Sequence, residues 1–140
     1  MTIRVSQVDQ NKPAIAHLLN ELQKTILEGD VPCELTGHWW IAYEGSLPVG
    51  FAGVVQSTRW TDTGYLCRSG VLPSHRGQGI QKRLIRAREV KARKLNWKWL
   101  ITDTHKNPPS SNSLIRQGYQ IFSPSAPWGF ESAIYWRKAL

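Results

Sequence analysis

The stretch VLPSHRGQGIQKRLI, residues 71–85, constrains this chain more than any other part of it. An apolar run that suits a strand stops at Pro73, two glycines flank Gln78, and a positively charged helical pattern follows. Proline cannot donate to a sheet ladder, and glycine reaches backbone conformations that side chains forbid. A strand, a tight turn and a helix must therefore succeed one another here. The first turn of a helix presents backbone N–H groups without internal partners, together with a partial positive charge. Gly77 and Gly79 remove the Cβ atoms that would hold an anion at a distance, and Arg76 adds a charged donor. The junction is a candidate anion site. Two nucleotide fingerprints do not fit it: GxGxxG fails at Lys82, and GxxxxGK[ST] is absent.

The charge distribution singles out the same region. The net charge of +8 resides between Arg76 and Lys106, where ten basic residues face Glu89 and Asp103, while the remainder is balanced. No apolar run approaches the roughly 20 residues that span a bilayer, so no membrane partner is expected. The opening MTIRVSQVDQ has no signal-type apolar region, and a cytoplasmic location is expected. Cys33 and Cys67 read as two reduced thiols, and no Cys/His cluster has metal-ligand spacing, so no metal is expected. At 140 residues, one domain over 1–140 is expected.

Periodicity orders the rest. TIRVSQV alternates as a strand, and Pro13 opens a helix whose stripe of Ile15, Leu18, Leu19, Leu22 and Ile26 ends near Gly29. Residues 29–37 read as loop or short helix. Residues 38–57 read as two strands joined at Glu44-Gly45-Ser46, and TGYLCRSGVL as another strand. The helix from Gly77 to Leu95 gathers Ile80, Leu84, Ile85, Ala87, Ala92 and Leu95 on one face; Arg88 and Lys91 intrude on that apolar arc, which snorkelling stems would accommodate. WKWLITDT reads as a central strand, Asn107-Pro108 as a helix start, Gly118 as its stop, and YQIF and SAIYWRK as strands around a proline-rich loop. The order β-α-β-β-β-α-β-α-β-β makes a mixed α/β sheet with helices packed on it.

The pairing of GVLPSHRGQGI with the downstream block TDTHKNPPSSNSLIRQGYQIF resembles the GNAT superfamily of acetyl-CoA-dependent N-acetyltransferases. The resemblance extends over the whole chain and is most specific from Leu66 to Phe122. It implies the acyl-CoA N-acyltransferase fold: a mostly antiparallel sheet of about seven strands with about four helices. The family's pyrophosphate motif [Q/R]xxGx[G/A] reads Arg76-Gly77-Gln78-Gly79-Ile80-Gln81, with Gln81 in place of the final small residue. By the same resemblance a bulged, splayed strand pairs with pantetheine at Ser69, Gly70 and Val71. Asn107 and Ser110 match positions that contact the pantetheine arm, and Arg76, Lys82 and Arg83 stand ready for the phosphates.

Transfer from a thioester to an amine needs a neutral amine, although a lysine-like ammonium titrates at about 10.4. It also needs an oxyanion donor, which the resemblance assigns to a backbone N–H near Val71. The tyrosine that serves many members as general acid is replaced by Leu114, leaving Tyr119, water or an unassisted thiolate. The usual strand glutamate is also missing, so Asp103 and His105 become the candidate bases. Glu34 and His38 fall in the region that closes the acceptor pocket in this family. Trp39, Trp40, Trp60, Trp128 and Trp136 could line that pocket, with two or three of them serving as core. The acids Glu28, Asp30, Glu34 and Asp62 favour a cationic amine, either a small molecule or a peptide. Dimers are common in the family. Two other readings remain open: a non-catalytic acyl-CoA-binding module of the same fold, and a nucleic-acid-binding protein using the arginine-rich helix.

Overall fold

The computed structural model describes residues 2–28 and 31–140. Strand β1 (Ile3–Val8) leads to helix α1 (Pro13–Ile26). Strands β2 (His38–Glu44), β3 (Leu47–Gln56) and β4 (Thr63–Val71) follow, then a 3-10 turn (Pro73–His75) and helix α2 (Ile80–Lys94). The chain ends with β5 (Trp99–Thr104), helix α3 (Pro108–Arg116), β6 (Gln120–Phe122) and β7 (Ile134–Ala139). The element order is the expected one. Three α-helices and a 3-10 turn stand where about four helices were expected, and no residue of 31–37 is helical. The helix end expected near Gly29, and the acid Asp30, lie outside the described residues.

The seven strands form one sheet in the order β1-β2-β3-β4-β5-β7-β6, antiparallel throughout except at β4–β5. Alternation along β2 sends Trp39 to one face and Trp40 to the other. On the first face α1 lays Leu19 and Leu22 against Trp39, Ile41 and Phe51. On the second, Ile80, Leu84, Ile85 and Ala92 of α2 and Leu114 of α3 meet Trp40, Val54, Leu66, Leu100 and Trp136. Each large side chain buried this way contributes roughly 1.5–3 kcal/mol. Trp39, Trp40 and Trp136 are therefore core, in keeping with the expectation that two or three of the five tryptophans pack.

Two features shape the site. Strands β4 and β5 pair at only three positions, Thr63–Trp99, Gly64–Leu100 and Tyr65–Ile101, and then part. In the same region the register between β3 and β4 slips, so that Gly53 faces both Cys67 and Arg68. That β-bulge bends the strand and gives it extra twist. Gly53 has no freedom to be anything larger, because a Cβ there would stand 2.7 Å from the Trp39 ring.

Candidate active site

Helix α2 begins at Ile80 rather than Gly77, because Gly77 and Gly79 adopt left-handed backbone with φ of +78° and +77°. No protein atom lies within 4 Å of a Cβ built on either glycine. Their open sides face outward, so neighbouring protein does not fill the space. Among the described residues, the backbone N–H groups of residues 77–82 meet no protein acceptor. Six consecutive unpaired amides at a helix start are the donors with which a backbone can cradle an anion. Arg76 turns its Nε to Val71 O at 3.2 Å, which ties the turn back to β4. Lys82 is exposed at the rim, whereas Arg83 is drawn away, donating from Nη1 to Ile3 O at 2.7 Å.

From the cradle a cleft of about 320 Å³ runs through the sheet where β4 and β5 separate. Leu27, Arg68, Asp103 and Phe130 line it from the α1 face, and Gln81, Ile85, Arg88, Ser110 and Leu114 from the other. Leu72 N–H bonds to Val49 O of β3, so strand alternation turns the N–H groups of Val71 and Ser69 toward the split. Among the described residues that edge of β4 has no strand partner beyond Tyr65. Gln81 reaches across from α2 and donates to Ser69 Oγ at 2.8 Å, while its own buried Oε1 has no partner among the described residues. Asn107 caps α3, its Oδ1 accepting from Ser110 N–H at 3.2 Å, and Ser110 faces the cleft.

These features suit a CoA thioester. A pantetheine arm carries amide groups that can complete an unpaired strand edge and meet an orphaned carbonyl oxygen such as Gln81 Oε1. Its phosphates require donors such as residues 77–82 present.

At the α1-face end stands Asp103. Its Oδ1 accepts from the Tyr65 hydroxyl at 2.6 Å and from Trp128 Nε1–H at 3.0 Å, whereas Oδ2 has no protein partner among the described residues. Burial, reinforced by the bond to Asp103, pushes the Tyr65 hydroxyl well above its ordinary range, so it remains a donor. The His105 ring lies tilted against Phe130 at 4.6 Å between ring centroids and pairs with Ser132 through Nδ1 at 3.1 Å. Trp128 packs edge-on against Tyr65, Trp60 and Tyr135. Beyond it, a groove of about 460 Å³ is walled by Trp60, Trp99, Ile101, Phe122 and Arg137.

The family model described as the acetyltransferase (GNAT) family matches residues 8–119, most of the chain. The protein belongs to the GNAT acetyltransferase family. No curated protein matches it significantly in sequence. Solved structures similar to it include the ribosomal-protein-S18-alanine N-acetyltransferase of Escherichia coli, 12% identical with a TM-score of 0.77, covering 99% of this chain and 94% of that one. An IAA acetyltransferase of Bacillus cereus is 16% identical with a TM-score of 0.75 over 99% and 100% of the two chains. A chain of the NatC complex bound to Gag peptide and CoA is 15% identical with a TM-score of 0.79 over 100% and 99%. At these identities the likeness is one of fold. Among the described residues of this GNAT chain, no helix is long and apolar enough to cross a membrane, and no cluster of His, Cys, Asp or Glu could hold a metal ion.

Four of the residues expected to act in this acetyltransferase are placed elsewhere. Tyr119 is not available as a general acid: it is 3% exposed and donates to Glu89 Oε2 at 2.9 Å beneath α2. Trp39 cannot contact an acceptor, because it lies fully buried and stacked on Phe51. His38 sits beside Lys91 on the α2 face, away from Asp103, and burial followed by Lys91 lowers its pKa. Glu34 is exposed on the loop before β2 and does not line the cleft. The structure does bring Trp128, Asp103 and His105 to one end of the cleft, with the 69–82 segment at the other. Tyr119→Phe should lower stability by about 1–3 kcal/mol, since the buried Glu89 carboxylate keeps only Lys138 as a partner at 3.0 Å. Its turnover should equal that of the wild type; thermal melts and steady-state rates check both halves.

Two residues in this site escaped sequence reasoning. Tyr65, which orients Asp103, is 38 residues distant in the chain and carries no local signal. Arg88 did carry one, as a charge within the apolar arc of α2. It is not a snorkelling surface residue but a buried one, 2% exposed.

Proposed function

We propose that this protein transfers the acetyl group of acetyl-CoA to a primary amine by direct attack in a ternary complex, with residues 1–140 acting as one N-acetyltransferase domain. The observation that carries the reading is the run of unpaired amides at residues 77–82, opening directly onto a sheet split that leads to an oriented carboxylate. Bound acetyl-CoA supplies an activated thioester carbonyl. Gly77, Gln78, Gly79, Ile80, Gln81 and Lys82 hold its diphosphate through backbone N–H groups, aided by the Lys82 and Arg76 charges. Ser69, Gly70 and Val71 give the pantetheine arm a strand to pair with; of the two N–H groups turned toward the split, that of Ser69, beside the bulge and the Asp103 end, rather than that of Val71, donates to the carbonyl oxygen as negative charge builds there. Asn107 and Ser110 flank the arm from α3.

Asp103 Oδ2, held by the grip of Tyr65 and Trp128 on Oδ1, takes the proton of the incoming ammonium directly or through a water. His105 stands at the same mouth as the alternative base. Trp128 offers the acceptor an aromatic wall on the face where the 460 Å³ groove opens. An acyl-cysteine route is disfavoured: burial pushes the Cys67 thiol up to about 11, so almost none is nucleophilic thiolate at neutral pH.

A second reading, acyl-CoA binding without turnover, draws support from Leu114, which lines the cleft where many members carry a tyrosine acid. Thiol release from acetyl-CoA over a panel of small amines and peptide N-termini separates the two. Turnover with intersecting initial-velocity lines is the expected result. Tight CoA binding without release would favour the binding module, and parallel lines would replace direct attack with an acyl-enzyme.

A further inference from the structure

Arg88 is a buried cation without a carboxylate partner. Among the described residues its Nε donates to Leu84 O and its Nη1 to Gly53 O, both at 3.2 Å, and Nη2 meets no protein acceptor. The adjacent Glu89 is engaged by Lys138 and Tyr119. Buried charges are ordinarily paired, because removing them from water is costly. Burial lowers the pKa of Arg88, yet a guanidinium is so strong a base that it stays charged.

Arg88 also lines the cleft, together with Leu114 and Ser110, and its anchor Gly53 O lies opposite the Cys67–Arg68 bulge. It lies two helical turns beyond Gln81, past the strand edge assigned to pantetheine and toward the thioester end. We infer that Arg88 stabilises the sulfur of the departing coenzyme as a thiolate, in place of the tyrosine acid that Leu114 replaces. The amine nitrogen bonds to the thioester carbon, the C–S bond breaks, and its electron pair stays on sulfur. The incoming ammonium gives one proton to Asp103 before attack, the nitrogen of the tetrahedral adduct gives a second to water as the amide forms, and the thiolate departs paired with Arg88, taking up its own proton from solvent afterwards. Geometry favours a single-atom anion over a carboxylate on the acyl group. Each edge of the guanidinium that could grip a carboxylate at two points already has one nitrogen, Nε or Nη1, committed to a carbonyl.

This inference rests on the proposed acyl-CoA site, and its test keeps the two apart. Calorimetry would compare CoA with desulfo-CoA, which lacks only the sulfur, from about pH 6.5 to 9, a window leading up to and past the ordinary thiol value of about 8.5. The other titratable or charged groups at this level are Cys67 and Arg68 of β4, Asp103 of β5, Glu89 of α2 and Tyr119; all are common to both ligands. The wild type should prefer CoA over desulfo-CoA increasingly as pH rises, by tenfold or more. Arg88→Met should flatten that preference, leave desulfo-CoA affinity within about twofold, and slow acetyl transfer at least tenfold; Arg88→Lys should retain part of the preference. An unchanged preference in Arg88→Met would overturn the inference, as would equal loss of both ligands. Selective loss of succinyl-CoA relative to acetyl-CoA, with the preference intact, would instead make Arg88 an acyl-group receptor. A wild type that binds neither CoA nor desulfo-CoA would remove the proposed function itself.

Discussion

Replacing Gly79 with valine should reduce CoA affinity at least a hundredfold while leaving the protein folded. The residue has φ +77°, a left-handed conformation that disfavours an ordinary L-residue by roughly 1–2 kcal/mol and a β-branched one more. No protein atom opposes the new Cβ, so the strain is intrinsic to the backbone. Relief comes by rotating the adjoining peptides toward negative φ. That rotation re-aims the amides of Gly79 and Ile80, which belong to the six proposed to hold the diphosphate. A hundredfold loss corresponds to about 2.7 kcal/mol, on the scale of one or two charge-assisted hydrogen bonds. Gly45, in the β2–β3 turn, provides the control: its φ is +59° and its Cβ position is equally open. Gly45→Val should carry the same strain and leave CoA affinity intact. Equal affinity in the two variants would remove the cradle from the binding site.

Asp103→Asn should cost about 10²–10⁴ in kcat/KM, the usual worth of a positioned general base. Asparagine preserves the shape, and its carbonyl oxygen can still accept from Tyr65 and Trp128. The orienting contacts therefore survive while the proton acceptor is lost. CoA affinity should stay within about twofold, because the cradle lies at the other end of the cleft. If His105 is the base instead, His105→Gln carries the large loss and Asp103→Asn a small one. Single-turnover rates measured in parallel for the two variants assign the role.

What the amino-acid order reveals, and what it hides, follows from the range of the forces involved. A left-handed turn imprints itself on residue type, so Gly77 and Gly79 announce the cradle within five letters. The stripe of α1 and the cap at Asn107 are equally local. The parting of β4 from β5 is an absence of pairing at long range, and no local pattern encodes it; only the family resemblance supplied it. Strict alternation already separates Trp39 from Trp40, yet it cannot say which face meets solvent. Tyr119 reads as an available acid in the sequence, and only the fold shows Glu89, 30 positions earlier, holding its hydroxyl. Arg88 shows the reverse case. Its misfit with the apolar arc was visible, but a snorkelling stem and a buried unpaired charge give the same letter in the same place.

The seam between β4 and β5 has a mechanical consequence. Among the described residues three residue pairs are the backbone rungs between a four-strand leaf and a three-strand leaf; past them the bond from Thr102 Oγ1 to Leu66 O and the core shared by Leu66, Leu100 and Trp136 hold the two together. An extended guest laid along Ser69–Val71 would supply the missing rung and stiffen that joint. With acetyl-CoA bound as proposed, the sheet would be backbone-paired along that seam; without it, side chains alone bridge the split.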